Sequence, residues 1–525
     1  MSSKFSVLAA KVFSLSTLIF CLLAAFGLFV TQAVGEFEAG PLVGYFIYCI
    51  VTALLTRDVY RARPISGELD AKGGETSAVG PGKFVLLLIV VAFLMALTLP
   101  ALAFGAFDTW NLIFFVVTSL LAWATFRAKG VARAFVSLLL ATVAFTALAA
   151  GASRYSYGGT PRSAGPEGSW LEGQVTGLRK ENNLIGFAAM VMIDGKVVAT
   201  AADGERMIRS GVPIELADRW HLGSITKSVT ATMIARLIES GQMEWTETIG
   251  EHFAESSVQE AWKDVTLEQL LTHTSGAPSN FPISVRLRGR DLGARCTEER
   301  RKAVLGVLAQ KPDHPPGESF VYSNVGYTIA GAIAERVTGV SWEDLVKREV
   351  FAPLNLEESG FGPPKSPAAT LDQPRGHRAS FGWKSSVSDT EDNTPIIGPA
   401  GTVHMTLENL CRYATDHLRG ELGQGKLLTA ESYKKLHTPR LRNYACGWVV
   451  KPPSDEIPET AYWHNGSNTM WYALVVFIPA RNMVVAVTAN DGDIKSAESA
   501  AWRVVNGSVK QFNDGQTRSD GEGHP

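Results

Sequence analysis

The chain has 525 residues, which is too long for one ordinary domain, and its 49 basic and 51 acidic side chains leave a formal net charge of -2. Balanced charge gives no attraction to nucleic acid, and five cysteines without a Cys-x-x-Cys spacing indicate neither a metal site nor a disulfide framework. We therefore expect free or buried thiols, no metal, no other cofactor and no nucleic-acid partner.

Five runs without a charged residue predict a membrane domain over residues 1–152. Each run is close to the roughly 20 apolar residues that a helix needs to cross a bilayer. The runs are apolar all round, whereas core helices of soluble proteins are amphipathic. The second and fourth runs are the shortest, so four spans remain an alternative, and the first run could instead be a cleaved signal peptide. The runs are Val12–Gly35, Ala39–Thr56, Phe84–Phe107, Thr109–Phe126 and Ala134–Ala152.

The charges between these runs predict the orientation of the chain. Basic residues precede the first run and cluster at 57–83 and 127–133, whereas the other two connections carry only acidic residues, at 36–38 and Asp108. Because loops rich in Lys and Arg stay in the cytoplasm, the N-terminus is predicted inside and everything after Ala152 outside. We thus expect a multi-pass protein of the cell (inner) membrane whose soluble part faces the periplasm or the cell exterior, with the lipid bilayer as a partner.

A Gly-, Ser- and Pro-rich stretch over residues 153–169 predicts a flexible linker, followed by a domain over 170–512 and a disordered tail over 513–525. Two β-prone runs surround Asp194-Gly195, a hairpin signal, and two more surround residues 479–482. Strands at both ends of the domain, with helices between them, predict an α+β fold with one sheet built from both ends. The clearest helical segments are Ser224–Ser240, Val265–Leu271, Val325–Val337 and Thr406–Leu418, with a further helix after residue 493.

The segment WHLGSITKSVT, residues 220–230, places Ser224 three residues before Lys227. Residues three apart share one face of a helix, so a helix starting near Ser224 would bring the amine beside the hydroxyl. A serine hydroxyl becomes a nucleophile when a base removes its proton, and a lysine with a lowered pKa can be that base. Serine is also a common helix N-cap, and Ser-x-x-Lys arises by chance, so the motif needs partners.

Two later segments supply such partners. PPGESFVYSNVGY contains Tyr322-Ser323-Asn324, and YWHNGSN contains His464-Asn465-Gly466 just before a strand. With these motifs in this order, the sequence resembles the serine β-lactamase and penicillin-binding-protein superfamily. The likeness is greatest to the branch of class C β-lactamases, D-alanyl-D-alanine carboxypeptidases and related esterases, and it extends from about residue 170 to residue 511.

The resemblance implies a β-lactamase/transpeptidase-like antiparallel sheet with flanking helices and a helical subdomain. It also implies that Ser224 is the nucleophile of an acyl-enzyme, that Lys227 deprotonates it, and that Tyr322 shares the proton transfers. Asn324 would contact the substrate or steady Lys227, and His464 and Gly466, in the strand motif beside the cleft, would contact the substrate. The backbone N–H groups of Ser224 and Ser467 would form the oxyanion hole, the pair of donors that binds the negative oxygen of the tetrahedral intermediate. His273 is expected to be structural.

One departure from the family pattern bears on the substrate. Lactam-hydrolysing members commonly have lysine and a hydroxyl residue where this chain has His464 and Asn465. Histidine is mostly neutral near pH 7, so recognition of a substrate carboxylate should be weaker. We expect a membrane-anchored hydrolase for a small-molecule, peptide or lipid-like substrate with an ester, amide or peptide bond.

Other functions remain open. They are a penicillin-recognising sensor, a D-alanyl-D-alanine carboxypeptidase, a class C-like β-lactamase, and an enzyme that matures a secreted peptide or lipid. Substrate specificity is expected to lie in the loops at 279–296 and 376–401, and no protein partner is indicated.

Overall fold

The computed structural model describes residue 158 and residues 160–519, apart from 287–292, 366–369 and 381–382. The predicted membrane runs and their orientation lie outside the described residues. Within the described part, no helix is both long and apolar enough to cross a bilayer. The described chain is a mixed α and β domain that begins inside the predicted linker, because its first strand starts at Arg162.

Seven strands of the described part form one antiparallel sheet in the order β1-β3-β2-β12-β11-β10-β9. The predicted arrangement, one sheet built from both ends of the domain, is therefore confirmed, because the last strand, β12, pairs with β2 from the N-terminal hairpin. Two small sheets, β4-β8-β5 and β6-β7, lie outside it. The strands are β1 Arg162–Ala164, β2 Gly186–Ile193, β3 Lys196–Gly204, β4 Arg219–His221, β5 Ser359–Phe361, β6 His377–Ser380, β7 Trp383–Ser386, β8 Val403–Thr406, β9 Val449–Lys451, β10 Ala461–Ser467, β11 Tyr472–Ile478 and β12 Met483–Ala489.

The hairpin between β2 and β3 forms at the predicted turn. Asp194 and Gly195 both have positive φ, 52° and 74°, as a two-residue type I′ turn requires. The second predicted break, at residues 479–482, is a 3-10 turn with Asn482 in the left-handed region, and it joins β11 to β12. Both hairpins therefore follow from local turn chemistry.

Helices cover both faces of the sheet, which explains why its central strands are apolar along their whole length. Alternate residues of β12 belong to different core clusters: Val484 and Ala486 pack on one side, and Val485 and Val487 on the other. The helices are α1 Gly168–Glu181, α2 Thr226–Glu239, α3 Ile249–His252, α4 Leu267–Leu271, α5 Ile283–Arg286, α6 Cys296–Leu308, α7 Asn324–Thr338, α8 Trp342–Val346, α9 Gly398–Gly401, α10 Leu407–Glu421, α11 Ala430–His437 and α12 Ile494–Ser519.

Helix positions agree with the sequence pattern to within a few residues. The helix α7 starts at Asn324 because Ser323 caps it by accepting from the Gly326 N–H, and it ends at Thr338 because the next residue, Gly339, has a left-handed φ of 69°. The last helix continues to Ser519, past the predicted start of the tail. Cys296, Cys411 and Cys446 are free and buried, as expected, and the other two cysteines lie outside the described residues.

Candidate active site

Ser224 lies at the junction between β4 and α2. It belongs to a 3-10 turn, Gly223–Ile225, and the α-helix itself begins at Thr226. The helix predicted to start near Ser224 thus starts within two residues of it, and Gly223, with a φ of 49°, lies outside the α-helical conformation. The turn continues directly into the helix, so the spacing from Ser224 to Lys227 still places both side chains together.

Lys227 is buried, and its amine contacts three oxygens. The Nζ atom lies 3.0 Å from Ser224 Oγ, 2.7 Å from Asn324 Oδ1 and 2.8 Å from the Ala400 carbonyl oxygen. Burial lowers the pKa of the Lys227 amine well below its usual range, because the charged form loses its hydration. The structure therefore brings together the serine and the lysine that the sequence singled out.

The geometry around Lys227 suits a neutral amine. A neutral amine has two N–H donors and one lone pair, and two of its three neighbours, the Asn324 amide oxygen and the Ala400 carbonyl, can only accept. When both N–H groups point at those acceptors, the lone pair faces Ser224 Oγ. In its neutral form, Lys227 is thus able to accept the serine proton.

Tyr322 stands on the open side of the same pair. Burial raises the pKa of its phenol, and the neighbouring Ser224 hydroxyl partly offsets this effect. Its ring lies 4.7 Å from Lys227 Nζ, and the side chain keeps 36% of its surface exposed, so a substrate can reach it. His273 packs against the Tyr322 ring at 4.4 Å and accepts a hydrogen bond from the Ser323 N–H, in keeping with the structural role predicted for it.

Asn324 connects Lys227 to a loop predicted to control specificity. It is the first residue of α7, and its amide oxygen accepts from Lys227 while its Nδ2 donates to Asn280 Oδ1 over 2.8 Å. The structure thus places Asn324 where it can steady the amine. Substrate contact by Asn324 stays a prediction.

His464 lies on β10 and is 3% exposed. Its Nδ1 faces the Asn465 carbonyl, so Nδ1 carries the hydrogen and Nε2 accepts from the Tyr444 hydroxyl, 3.1 Å away. Burial, together with the nearby Lys227, lowers the pKa of His464 to about 3. The ring is therefore neutral at physiological pH and already engaged by protein atoms.

Two glycines let β10 approach the nucleophile turn. A Cβ atom on Gly466 would overlap the Leu222 carbonyl oxygen and the Ser224 nitrogen, and one on Gly223 would overlap the Ser467 nitrogen. These overlaps mean that the backbones at 223–224 and 466–467 are in direct contact. The predicted oxyanion-hole donors, the N–H groups of Ser224 and Ser467, are accordingly side by side.

Asn465, which stands where lactam-hydrolysing members commonly have a hydroxyl residue, does not face the site. Its Nδ2 donates to Glu498 Oε1 on α12, 3.0 Å away on the other face of the sheet. The reason is the alternation of side chains along a strand, which sends residue 465 opposite to His464 and Gly466.

Several neighbours of the site escaped sequence reasoning. Tyr444 positions His464, and Ala400 offers Lys227 a carbonyl acceptor from α9. Behind the nucleophile turn, His221, Asp392 and Asn468 form a hydrogen-bonded cluster. His221 lies only three residues before Ser224 in the sequence, and this spacing could have identified it as a neighbour of the nucleophile.

The other histidines have structural surroundings. His377, His404 and His437 are buried and hydrogen-bonded, and His314 is exposed. Across the described ranges, no group of three or more His, Cys, Asp or Glu side chains could hold a metal ion.

A family model described as beta-lactamase matches residues 171–507. Penicillin-binding protein 4 of Amycolatopsis lactamdurans is 27% identical over 355 residues, covering 65% of this chain and 89% of that protein. Protein flp of Staphylococcus aureus (strain N315) is 20% identical over 326 residues, covering 59% of this chain and 60% of Protein flp.

Solved structures show the same fold. The octameric penicillin-binding protein homologue from Pyrococcus abyssi superposes with a TM-score of 0.52 at 24% identity, covering 63% of this chain and 75% of that one. A D-stereospecific amidohydrolase from Streptomyces sp. gives a TM-score of 0.50 at 22% identity, covering 64% of this chain and 98% of that one. At these identities the likeness extends to the fold alone.

Proposed function

Because the chain belongs to the beta-lactamase family, we propose that it is a serine hydrolase that cleaves an ester, amide or peptide bond through an acyl-enzyme on Ser224. One observation carries the proposal: a buried Lys227 amine with a lowered pKa lies 3.0 Å from the Ser224 hydroxyl. A desolvated amine in hydrogen-bond contact with a hydroxyl is the arrangement that activates a serine nucleophile.

In the acylation step, Ser224 Oγ bonds to the substrate carbonyl carbon as its proton passes to Lys227. The carbonyl oxygen becomes negative and is stabilised by the N–H groups of Ser224 and Ser467. The bond to the leaving group then breaks, and Tyr322 or Lys227 returns the proton to the departing oxygen or nitrogen. Tyr322 suits this relay because its ring lies beside Lys227 and the side chain remains accessible.

In the deacylation step, water attacks the acyl carbon and gives up a proton to the same pair of side chains. The bond from Ser224 Oγ to the acyl carbon breaks, Ser224 recovers its proton, and a carboxylic acid leaves. No group beyond water is consumed. The same amine and phenol thus serve both halves of the reaction. Lys227 acts first as base and then as acid, whereas the Tyr322 phenol, which is protonated because its pKa is raised, relays protons by giving its own and taking another from Lys227.

The neutral state of His464 favours substrates without a carboxylate near β10. The side chain has a pKa of about 3 and therefore offers no positive charge at neutral pH. A neutral ester, amide or peptide is accordingly the better substrate, and rapid turnover of β-lactams is not expected. The D-stereospecific amidohydrolase among the fold relatives makes amides of D-amino acids a sensible class to include in a screen.

A second candidate is a penicillin-recognising protein that acylates but deacylates slowly, as a sensor or a carboxypeptidase. The similarity to a relative named penicillin-binding protein 4 supports this second candidate. The contacts of Lys227 with the Ser224 hydroxyl and with the Tyr322 ring serve acylation equally well in both cases. The rate at which the acyl group leaves Ser224 therefore separates the two.

We also propose that residues 1–152 anchor the hydrolase in the cell membrane with the catalytic domain outside the cytoplasm. The proposal rests on the five uncharged runs and on the basic loops between them. Fusions of alkaline phosphatase and of green fluorescent protein after residue 153 test it. An outside location gives phosphatase activity without fluorescence, and the reverse result would contradict the orientation.

The catalytic proposal is tested by profiling the full chain, purified in detergent, on p-nitrophenyl esters, D-amino-acid amides and nitrocefin, with Ser224→Ala as the control. We expect ester or amide turnover that Ser224→Ala abolishes, together with slow nitrocefin hydrolysis. Fluorophosphonate labelling should require Ser224. Rapid nitrocefin turnover would overturn the substrate proposal, and a stable penicillin adduct without turnover would favour the second candidate.

A further inference from the structure

A buried cluster outside the Ser224, Lys227 and Tyr322 group lies behind both predicted oxyanion-hole donors. It consists of His221 at the end of β4, Asp392 in the loop before α9, and Asn468 just after β10. The His221 side chain is fully buried and that of Asp392 is 4% exposed. These residues come from three distant parts of the chain, so the fold brings them together at this one point.

His221 links Asp392 to the nucleophile turn. The Gly223 N–H donates to His221 Nδ1 over 3.1 Å, which leaves the hydrogen of the ring on Nε2. Nε2 then donates to Asp392 Oδ2, 3.0 Å away. Asp392 therefore fixes the ring orientation, and the ring fixes the backbone of the residue that precedes Ser224.

Asn468 links the same carboxylate to the end of β10. Its Nδ2 donates to Asp392 Oδ1 over 2.8 Å, and its own Oδ1 accepts from the Met470 N–H. Asn468 directly follows Ser467, whose N–H is the second predicted oxyanion donor. The Asp392 carboxylate is thus linked through His221 to Gly223, the neighbour of Ser224, and through Asn468 to Ser467.

The adjacent residue extends the connection toward Lys227. Asn393 donates its backbone N–H to Asp392 Oδ1 and its Nδ2 to the Gly401 carbonyl, over 2.7 and 3.0 Å. Gly401 ends α9, whose Ala400 carbonyl accepts from Lys227. The loop at Asp392 therefore contacts all three backbone segments around Ser224.

We infer that Asp392, acting through His221 and Asn468, is a positioning residue that sets the spacing of the oxyanion-hole donors. The inference rests on the proposed acyl-enzyme function. Oxyanion donors are effective because they are fixed before the charge develops, so a carboxylate that anchors both supporting segments contributes to the rate without touching the substrate. A buried carboxylate can hold these segments in place because hydrogen bonds to a charged acceptor are stronger than hydrogen bonds between neutral groups.

The test compares Asp392→Asn with Asp264→Asn in the full chain. An amide at 392 must direct an NH2 group at a hydrogen of His221, Asn393 or Asn468, so at least one link is lost. Asp264 is exposed in a turn before α4 and lies outside the two loops predicted to carry specificity, so its variant should match the wild type. The measurements are kcat and KM on p-nitrophenyl acetate, normalised to sites titrated with a fluorophosphonate, and the affinity for phenylboronic acid.

For Asp392→Asn we expect kcat per titrated site to fall about 10- to 100-fold, with KM changed less than threefold. This loss is smaller than the 10²- to 10³-fold typical of deleting an oxyanion donor outright. Phenylboronic acid bonds to the serine and places an oxygen in the hole, so its affinity should fall together with kcat. Asp392→Asn combined with Asn468→Asp restores one complementary pair and should recover part of the loss.

A kcat per titrated site within threefold of the wild type would overturn the inference. So would a loss that appears only as fewer titratable sites or a lower melting temperature, because that pattern means a folding role alone. Turnover by Ser224→Ala would overturn the proposed function as well. An inactive Ser224→Ala beside a fully active Asp392→Asn refutes only the role of Asp392.

Discussion

At the scale of single residues, the proposed chemistry depends on Lys227 being a base. Replacing Lys227 with methionine keeps the length and the buried packing but removes the lone pair that faces Ser224. Because general-base catalysis typically contributes 10²- to 10⁴-fold, we expect the acylation rate on p-nitrophenyl acetate to fall by about that factor. Stopped-flow acylation measures it, with the melting temperature as the check on folding. Activity within threefold of the wild type would show that another group takes the proton.

The pH dependence of kcat/KM gives a second residue-scale prediction. Burial lowers the pKa of Lys227, so the amine is neutral and competent well below the usual lysine pKa of about 10.4. We expect kcat/KM to be flat through the range around pH 10.4 in which an ordinary lysine titrates, and to fall only at lower pH, where the buried amine takes up a proton. A tenfold rise per pH unit between about pH 7 and 10 would instead indicate an ordinary, solvated lysine.

At the scale of elements, the contact between β10 and the nucleophile turn depends on Gly466. A Cβ there would overlap the backbone at Leu222 and Ser224, so Gly466→Ala must push the strand away. We expect a loss of about 1–3 kcal/mol in the free energy of unfolding, typical of overpacking, and a lower kcat, because the donors at Ser224 and Ser467 separate. Denaturant unfolding and steady-state kinetics on the same samples measure both.

The matched control is Gly173→Ala in the middle of α1. A Cβ at Gly173 meets no atom within 4 Å, and alanine favours helix. This change should stabilise the domain by about 0.5–1 kcal/mol and leave kcat unchanged. If Gly466→Ala behaved like Gly173→Ala, the close approach of β10 to the turn would not be required.

The elements that sequence alone predicted are those with local signals. The hairpin at Asp194-Gly195 follows from turn chemistry, and α7 follows from apolar spacing and a serine cap. The sheet β4-β8-β5 was not predicted, because strands of three or four residues are too short to show an alternation of apolar and polar residues. The link from His221 to Asp392 spans 171 positions, and no local pattern encodes it.

At the scale of the whole molecule, buried neutral histidines make the stability depend on pH. Burial is the largest cause of the lowered pKa in each of six histidines, and values of about 4 are reached at His377 and His404. In the unfolded chain each would have a pKa of about 6.5, so the unfolded state binds more protons below that pH. The six are His273, His377, His404, His417, His437 and His464.

The free energy of unfolding therefore includes the full contribution of the neutral histidines above about pH 6.5. This contribution is lost as the pH falls toward about 4, the pKa of His377 and His404 in the folded state. Each proton taken up only on unfolding lowers the free energy of unfolding by about 1.4 kcal/mol per pH unit. We expect the melting temperature to fall steeply between about pH 6.5 and 4.5. His404→Asn keeps a donor near the Gly362 carbonyl but does not titrate, so it should flatten this slope, whereas His314→Asn, at an exposed position, should not. A melting temperature independent of pH in this window would mean that these rings are not held neutral by the fold.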